Sequence, residues 1–150
     1  MPRPLAAGGM NESEPLANVS CVAIGGRGVL ITGAPGSGKS ALALALNDRG
    51  AELVGDDGVT LESRNGRTWA LPPPHIAGKL EIRNVGLVEL PAVEAPLALV
   101  VRLDRDAPRF VETASVAELL GDHVPEIALF PDPVTLALRT EWALRLHGLS

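Results

Sequence analysis

The chain has 150 residues, enough for one domain with a substantial core, and 46% of them are hydrophobic. Aromatic residues make up only 3% and Tyr is missing, so that core has to be built from Leu, Val, Ala and Ile. A net charge of −5 without a long basic run argues against nucleic acid as a partner, because backbone phosphates are held by clustered Lys and Arg. No apolar run reaches the roughly 18 residues of a membrane span. The opening "MPRPLAAGGMNESEPLA" lacks the apolar stretch of a signal peptide. One cysteine, Cys21, allows no internal disulfide, and the expected setting is reducing and cytoplasmic.

Residues 1–17, rich in Pro, Gly and Ala, read as a loose tail, with one folded domain over 18–150. Two apolar runs follow, Val19–Ile24 and Val29–Thr32, and the "GGRG" between them reads as a hairpin turn. "SALALALNDRG" predicts a helix stopped by Gly50. "AELVGDD" predicts a short strand ending in two carboxylates, and "VTLESRNGRTWAL" a hairpin turning at Asn65-Gly66. Three prolines keep "PPPHIAG" from being helical. "KLEIRNVGLVEL" reads as strand broken at Gly86, and Pro96–Asp104 as a buried strand. "SVAELLGD" predicts a short helix, and Pro133–His147 a longer one whose apolar stripe, Leu138, Trp142 and Leu146, is expected to pack in the core.

The chemistry starts at "GAPGSGKS". Gly33, Gly36, Gly38, Lys39 and Ser40 match G-x-x-x-x-G-K-[ST], the Walker A pattern, between an apolar strand and a helix. Glycines let backbone N–H groups turn toward an anion, and the positive end of the helix points the same way. Gly33, Ala34, Pro35, Gly36, Ser37, Gly38, Lys39 and Ser40 are therefore the expected nucleotide cradle. In it Lys39 reaches the β and γ phosphates and Ser40 is an Mg²⁺ ligand.

Two acidic positions compete for the next role. Asp56 follows Lys39 by one helix and one strand, so in a parallel arrangement it can face the γ-phosphate, as metal ligand or proton acceptor. Asp-Asp-Gly is also ordinary turn chemistry. Asp104 ends "LALVVRLD", which is similar to a Walker B strand and would organise Mg²⁺ in an ordinary P-loop enzyme. Glu81 and Arg83, two apart in "LEIRNVG", are expected to share one strand face, for Mg²⁺ or phosphate handling or as a surface ion pair. His75 lies between the acidic motifs, while His123 and His147 have no partner at ligand spacing.

Together, "GVLITGAPGSGKS", "LVGDD" and "LEIRNVGLVEL" resemble, in order and spacing, the catalytic domain of HPr kinase/phosphorylase. The resemblance runs over Val19–Pro91, and the short length resembles the compact alphaproteobacterial form. It implies an α/β fold, a P-loop nucleotide-binding core with a mixed sheet, related to phosphoenolpyruvate carboxykinase. It implies an ATP-dependent serine kinase, with phosphorylase activity in reverse, acting on an HPr-like phosphocarrier of the phosphotransferase system. Carried over by residue, Lys39 and Arg83 join Asp56 as catalytic groups, with Asp56 the general base. Ser40 and Glu81 hold Mg²⁺, and the C-terminal helix contacts the carrier. A homo-oligomer also falls within the family's habits.

The sequence departs from the family at Asn18, where a His is usual, at Ala41, usually acidic, and at Asn84, usually Gly. The later "RPGRN"-type loop is absent. These departures bear more on the phosphorylase reaction than on the kinase. Two other readings stay open: a P-loop enzyme acting on a small molecule through Asp104, and a nucleotide sensor without catalysis.

Overall fold

A computed structural model describes residues 12–150. Among the described residues, eleven strands and two helices follow one another, and nine of the strands form one curled mixed sheet. Its path runs β1 (Ser13–Ala17), β5 (Gly58–Arg64), β6 (Arg67–Leu71), β9 (Ala95–Leu103), β3 (Arg27–Gly33), β2 (Ser20–Ile24) and β4 (Glu52–Gly55). The long β9 serves two parts of the sheet. Its start pairs antiparallel with β6, and its later half lies parallel to both β3 and β11 (Asp122–Leu129). A separate hairpin joins β7 (Lys79–Ile82) to β8 (Gly86–Glu89).

Because β9 is covered on both faces, it reads as an unbroken apolar run rather than an alternating one. One face carries Leu99, Val101 and Leu103, with Val29 and Ile31 of β3, against α1 (Lys39–Asp48) and α2 (Leu136–His147). On the other face, Leu97, Val100 and Leu30 meet Val59, Leu61 and Ala70 where the sheet curls over. Cys21 belongs to this second cluster at 0% exposure, and burial pushes its thiol well above the ordinary range. Cys21 is therefore expected to resist alkylation by iodoacetamide in the native protein and to react fully in denaturant, as intact-mass spectrometry would read.

The "GGRG" turn, the Asn65-Gly66 hairpin, the buried strand and the helix after the Gly-rich loop form where the sequence predicts them. α1 ends as expected. Gly50 takes φ 106°, and Ala51 N–H bonds back to the Leu46 carbonyl, satisfying an end-of-helix acceptor.

Three expectations need correction. Part of the expected tail, Ser13–Ala17, is strand β1, paired with β5; the rest of that segment, up to residue 11, lies outside the described residues. β1 is an edge strand held by backbone bonds. Only Leu16 packs on the core, so no apolar alternation announces it. "SVAELLGD" is not a helix. Ser115–Leu119 is strand β10, and Leu120-Gly121, both at positive φ, turn it into β11. Pairing with β11 and the Thr68 hydroxyl on the Leu119 carbonyl outweigh the helix propensity of Ala-Glu-Leu. Finally, α2 buries Leu136, Thr140, Ala143 and Leu144, so the Leu138–Trp142–Leu146 stripe faces outward at 43–71% exposure.

Candidate functional site

The site forms where three strand ends meet. β2 is antiparallel to both β3 and β4, so β3 and β4 run in the same direction although β2 lies between them. The C-terminal ends of β3 and β4 and the N-terminal start of β2 therefore share one edge. This places Gly33, Asp56 and Ser20 together. The sequence led to the expectation of a parallel unit; the direction holds, with an intervening strand.

Two chain crossings shape the acidic corner. The chain leaves β1 for β2 through Asn18-Val19, and β4 for β5 through Asp56-Asp57. The crossings lie side by side. Asn18 N–H donates to the Asp57 carbonyl at 3.2 Å, and both residues take left-handed φ, 60° and 61°. Asn and Asp accept that conformation more readily than most side chains. Asp57 is exposed, whereas Asp56 is turned inward at 8% exposure.

A buried carboxylate needs hydrogen-bond donors. Asp56 has two. Ser40 Oγ donates to its Oδ1 at 2.7 Å and Ser20 Oγ donates to the same oxygen at 2.8 Å. Among the described residues, no hydrogen bond ends on Oδ2. Ser40 stands in the first turn of α1, so the end of the Gly-rich loop and the end of β4 are joined by one short bond.

In the loop, Ser37 N–H closes a turn on the Ala34 carbonyl at 3.0 Å. Lys39 Nζ folds back to donate to the carbonyls of Gly33 at 2.8 Å and Ala34 at 3.0 Å. Gly36 and Gly38 have φ of 77° and 104°, and a side chain added at either would meet nothing within 4 Å, so the space over the loop is open. Ser37 Oγ is buried without a partner. An orphaned hydroxyl, open space beside the loop glycines and an ammonium satisfied only by carbonyls fit a bound anion. No group of three or more His, Cys, Asp or Glu side chains suited to a metal occurs among the described residues.

The remaining expected residues lie apart from this cluster. Glu81 is exposed on β7, a strand that lies beside α1 and whose Leu80 is buried. The strand ends at Ile82, and Arg83 lies in the following turn with Asn84 at φ 67°. Glu81 and Arg83 therefore do not share a strand face, which corrects the expectation from their spacing; Gly86 starts β8 rather than interrupting a strand. Neither residue bonds to Lys39, Ser40 or Asp56. Asp104 follows β9 next to the loop, since Gly33 pairs with Leu103. Its Oδ1 accepts the Asp106 N–H at 2.8 Å and its Oδ2 lies 3.6 Å from Arg102, so it is spent on its own turn. His75 is exposed in the turn before β7.

Ser20 was not singled out from the sequence. The available signal was one hydroxyl inside the apolar run "VSCVAI", which only matters once β2 is known to lie between β3 and β4.

Comparison with known proteins bears on the same segment. Residues 12–94 match the model of the HPr Serine kinase C-terminal domain. An HPr kinase/phosphorylase of Chlorobium phaeobacteroides is 33% identical over 128 residues, covering 76% of this chain and 38% of that protein. One from Shouchella clausii is 47% identical over 70 residues, covering 46% of this chain and 23% of that protein. The chain thus spans well under half the length of the curated relatives it matches. The solved structure of the HPr(Ser) kinase/phosphatase from Coxiella burnetii superposes with a TM-score of 0.78 at 29% identity, covering 88% of each chain. The matched model takes in β1 through β8 and every residue of the Ser20–Ser40–Asp56 cluster, and the chain belongs to the HPr serine kinase C-terminal domain family.

Proposed function

We propose that this chain is an ATP-dependent protein serine kinase whose acceptor is an HPr-like phosphocarrier of the phosphotransferase system. The observation that carries this reading is the Ser40–Asp56 bond, which ties the end of a phosphate cradle to a buried carboxylate. The core is then a P-loop core related to that of phosphoenolpyruvate carboxykinase, within a kinase domain running from residue 18 and flanked by β1.

Gly33, Ala34, Pro35, Gly36, Ser37 and Gly38 wrap the triphosphate; the donors are backbone N–H groups of the loop other than Pro35, which has none, assisted by the N-terminus of α1. Lys39 gives up its two carbonyls for phosphate oxygens, and its charge offsets that of the transferred group. Ser40, with Glu81, would hold Mg²⁺, which supplies charge neutralisation of the phosphates when bound. Asp56 accepts the proton of the carrier's serine hydroxyl through its unbonded Oδ2 as that oxygen attacks phosphorus. In the reverse direction the same group donates the proton. Arg83, exposed on a turn, is free to move toward the transferred phosphate. The outward stripe of Leu138, Trp142 and Leu146 offers an apolar surface for the carrier. The setting would be cytoplasmic, where a phosphocarrier and ATP meet; no helix among the described residues is long and apolar enough to cross a membrane. The Asp104 reading is less well supported, because Ser40 bonds Asp56 and not Asp104.

The test is transfer of label from γ-labelled ATP, with Mg²⁺, to a serine of an HPr-type carrier from the same organism. Label on the carrier serine supports the reading. ATP bound without transfer to the carrier overturns it in favour of a sensor or a different acceptor.

A further inference from the structure

The two hydroxyls on Asp56 are not equivalent. Ser40 belongs to the loop end of α1, is partly exposed, and answers to whatever occupies the cradle. Ser20 is 1% exposed, and its backbone is fixed in β2, paired with Ile31 of β3 while the next residue pairs with Gly55 of β4. Its bond to Asp56 is therefore referred to the rigid sheet and not to the loop. It is also the one side-chain hydroxyl in a strand otherwise made of Cys, Val, Ala and Ile. Such a group satisfies no packing need that Ala would not meet.

We propose that Ser20 is a positioning residue for Asp56: its buried hydroxyl pins Oδ1 to the central sheet so that Oδ2 stays presented to the acceptor whether the cradle is loaded or empty. This rests on the kinase reading above. Without Ser20, the carboxylate is held only by Ser40, and rotates with a residue that also has to serve the nucleotide. The ground-state binding of ATP does not depend on that orientation, whereas proton acceptance does.

The test compares wild type, Ser20→Ala, Ser20→Thr and Asp56→Asn in steady-state transfer to the HPr-type carrier, with ATP affinity by calorimetry and melting temperature alongside. Loss of a hydrogen bond to a charged group predicts that Ser20→Ala lowers kcat about 10-fold or more, with KM for ATP within about threefold. Ser20→Thr, which keeps the hydroxyl on a side chain suited to a strand, is expected to restore most of the rate. A wild-type kcat in Ser20→Ala beside an inactive Asp56→Asn overturns the proposal. So does a rate loss that Thr does not rescue and that tracks a fall in melting temperature, since that is the mark of packing alone. Failure of the wild-type protein itself to label the carrier removes the kinase reading, and this proposal with it, before any Ser20 variant is compared.

Discussion

Asp56→Asn is expected to slow phosphoryl transfer to the carrier serine by about 10²- to 10⁴-fold, the range supplied by a positioned general base. The substitution suits the question because it removes the basicity and the charge of the carboxylate while keeping its size and one acceptor oxygen. An amide oxygen can still accept from the Ser20 and Ser40 hydroxyls, now 2.8 and 2.7 Å from Oδ1, so the corner and the cradle should keep their shape. ATP affinity measured by calorimetry should therefore stay within about threefold of wild type, and the deficit should fall in kcat. Single-turnover transfer from γ-labelled ATP reads the chemical step directly. Asp104→Asn serves as the contrast. Its carboxylate is engaged with the Asp106 N–H and faces Arg102, so its loss should unsettle a turn and leave transfer largely intact. The opposite pattern, a silent Asp56→Asn and an inactive Asp104→Asn, would return the metal role to the strand that reads as Walker B.

The parts of this site legible in the sequence are those whose chemistry is local. A strand feeding a Gly-rich loop and a helix is written in one contiguous stretch, and so is a strand ending in two acids. What joins them is not contiguous. Ser20 and Asp56 are 36 residues apart, and their contact depends on β2 lying between β3 and β4, which no periodicity within either strand encodes. The same limit hid β1, whose pairing with β5 rests on backbone groups and one apolar side chain. At β10 the local signal was present but misleading. Ala, Glu and Leu favour a helix in isolation, and the pairing of Val116 with Pro125 and Ala117 with Val124 outweighs them. α2 shows the converse. Its presence and its end at His147 were readable, although Pro133, Val134 and Thr135 form a turn ahead of it; the helix carries apolar residues on more than one face, so spacing alone could not say that Leu136, Ala143 and Leu144 face inward and Trp142 outward.

Lys39→Ala is expected to weaken ATP binding by about 10- to 100-fold, the loss of charge-assisted bonds to the phosphates, and to reduce transfer further still. The argument begins from what Lys39 does without a ligand. Its ammonium donates to the Gly33 and Ala34 carbonyls, at 2.8 and 3.0 Å, and so draws the start of the loop toward the start of α1. Binding a nucleotide exchanges those carbonyls for phosphate oxygens. The exchange is favourable because a neutral acceptor is replaced by an anionic one, and because the helix N-terminus and open loop amides already favour negative charge there. In the transition state the transferred phosphoryl group and the leaving oxygens need the same positive charge, so the rate should fall by more than the affinity. The loss should also depend on the number of phosphates. AMP, which leaves the outer phosphate positions empty, should bind the variant and the wild type almost equally, whereas ATP should separate them. Calorimetric titration with ATP, ADP and AMP measures this gradient without any carrier protein, and an equal loss for all three nucleotides would show that Lys39 only shapes the loop.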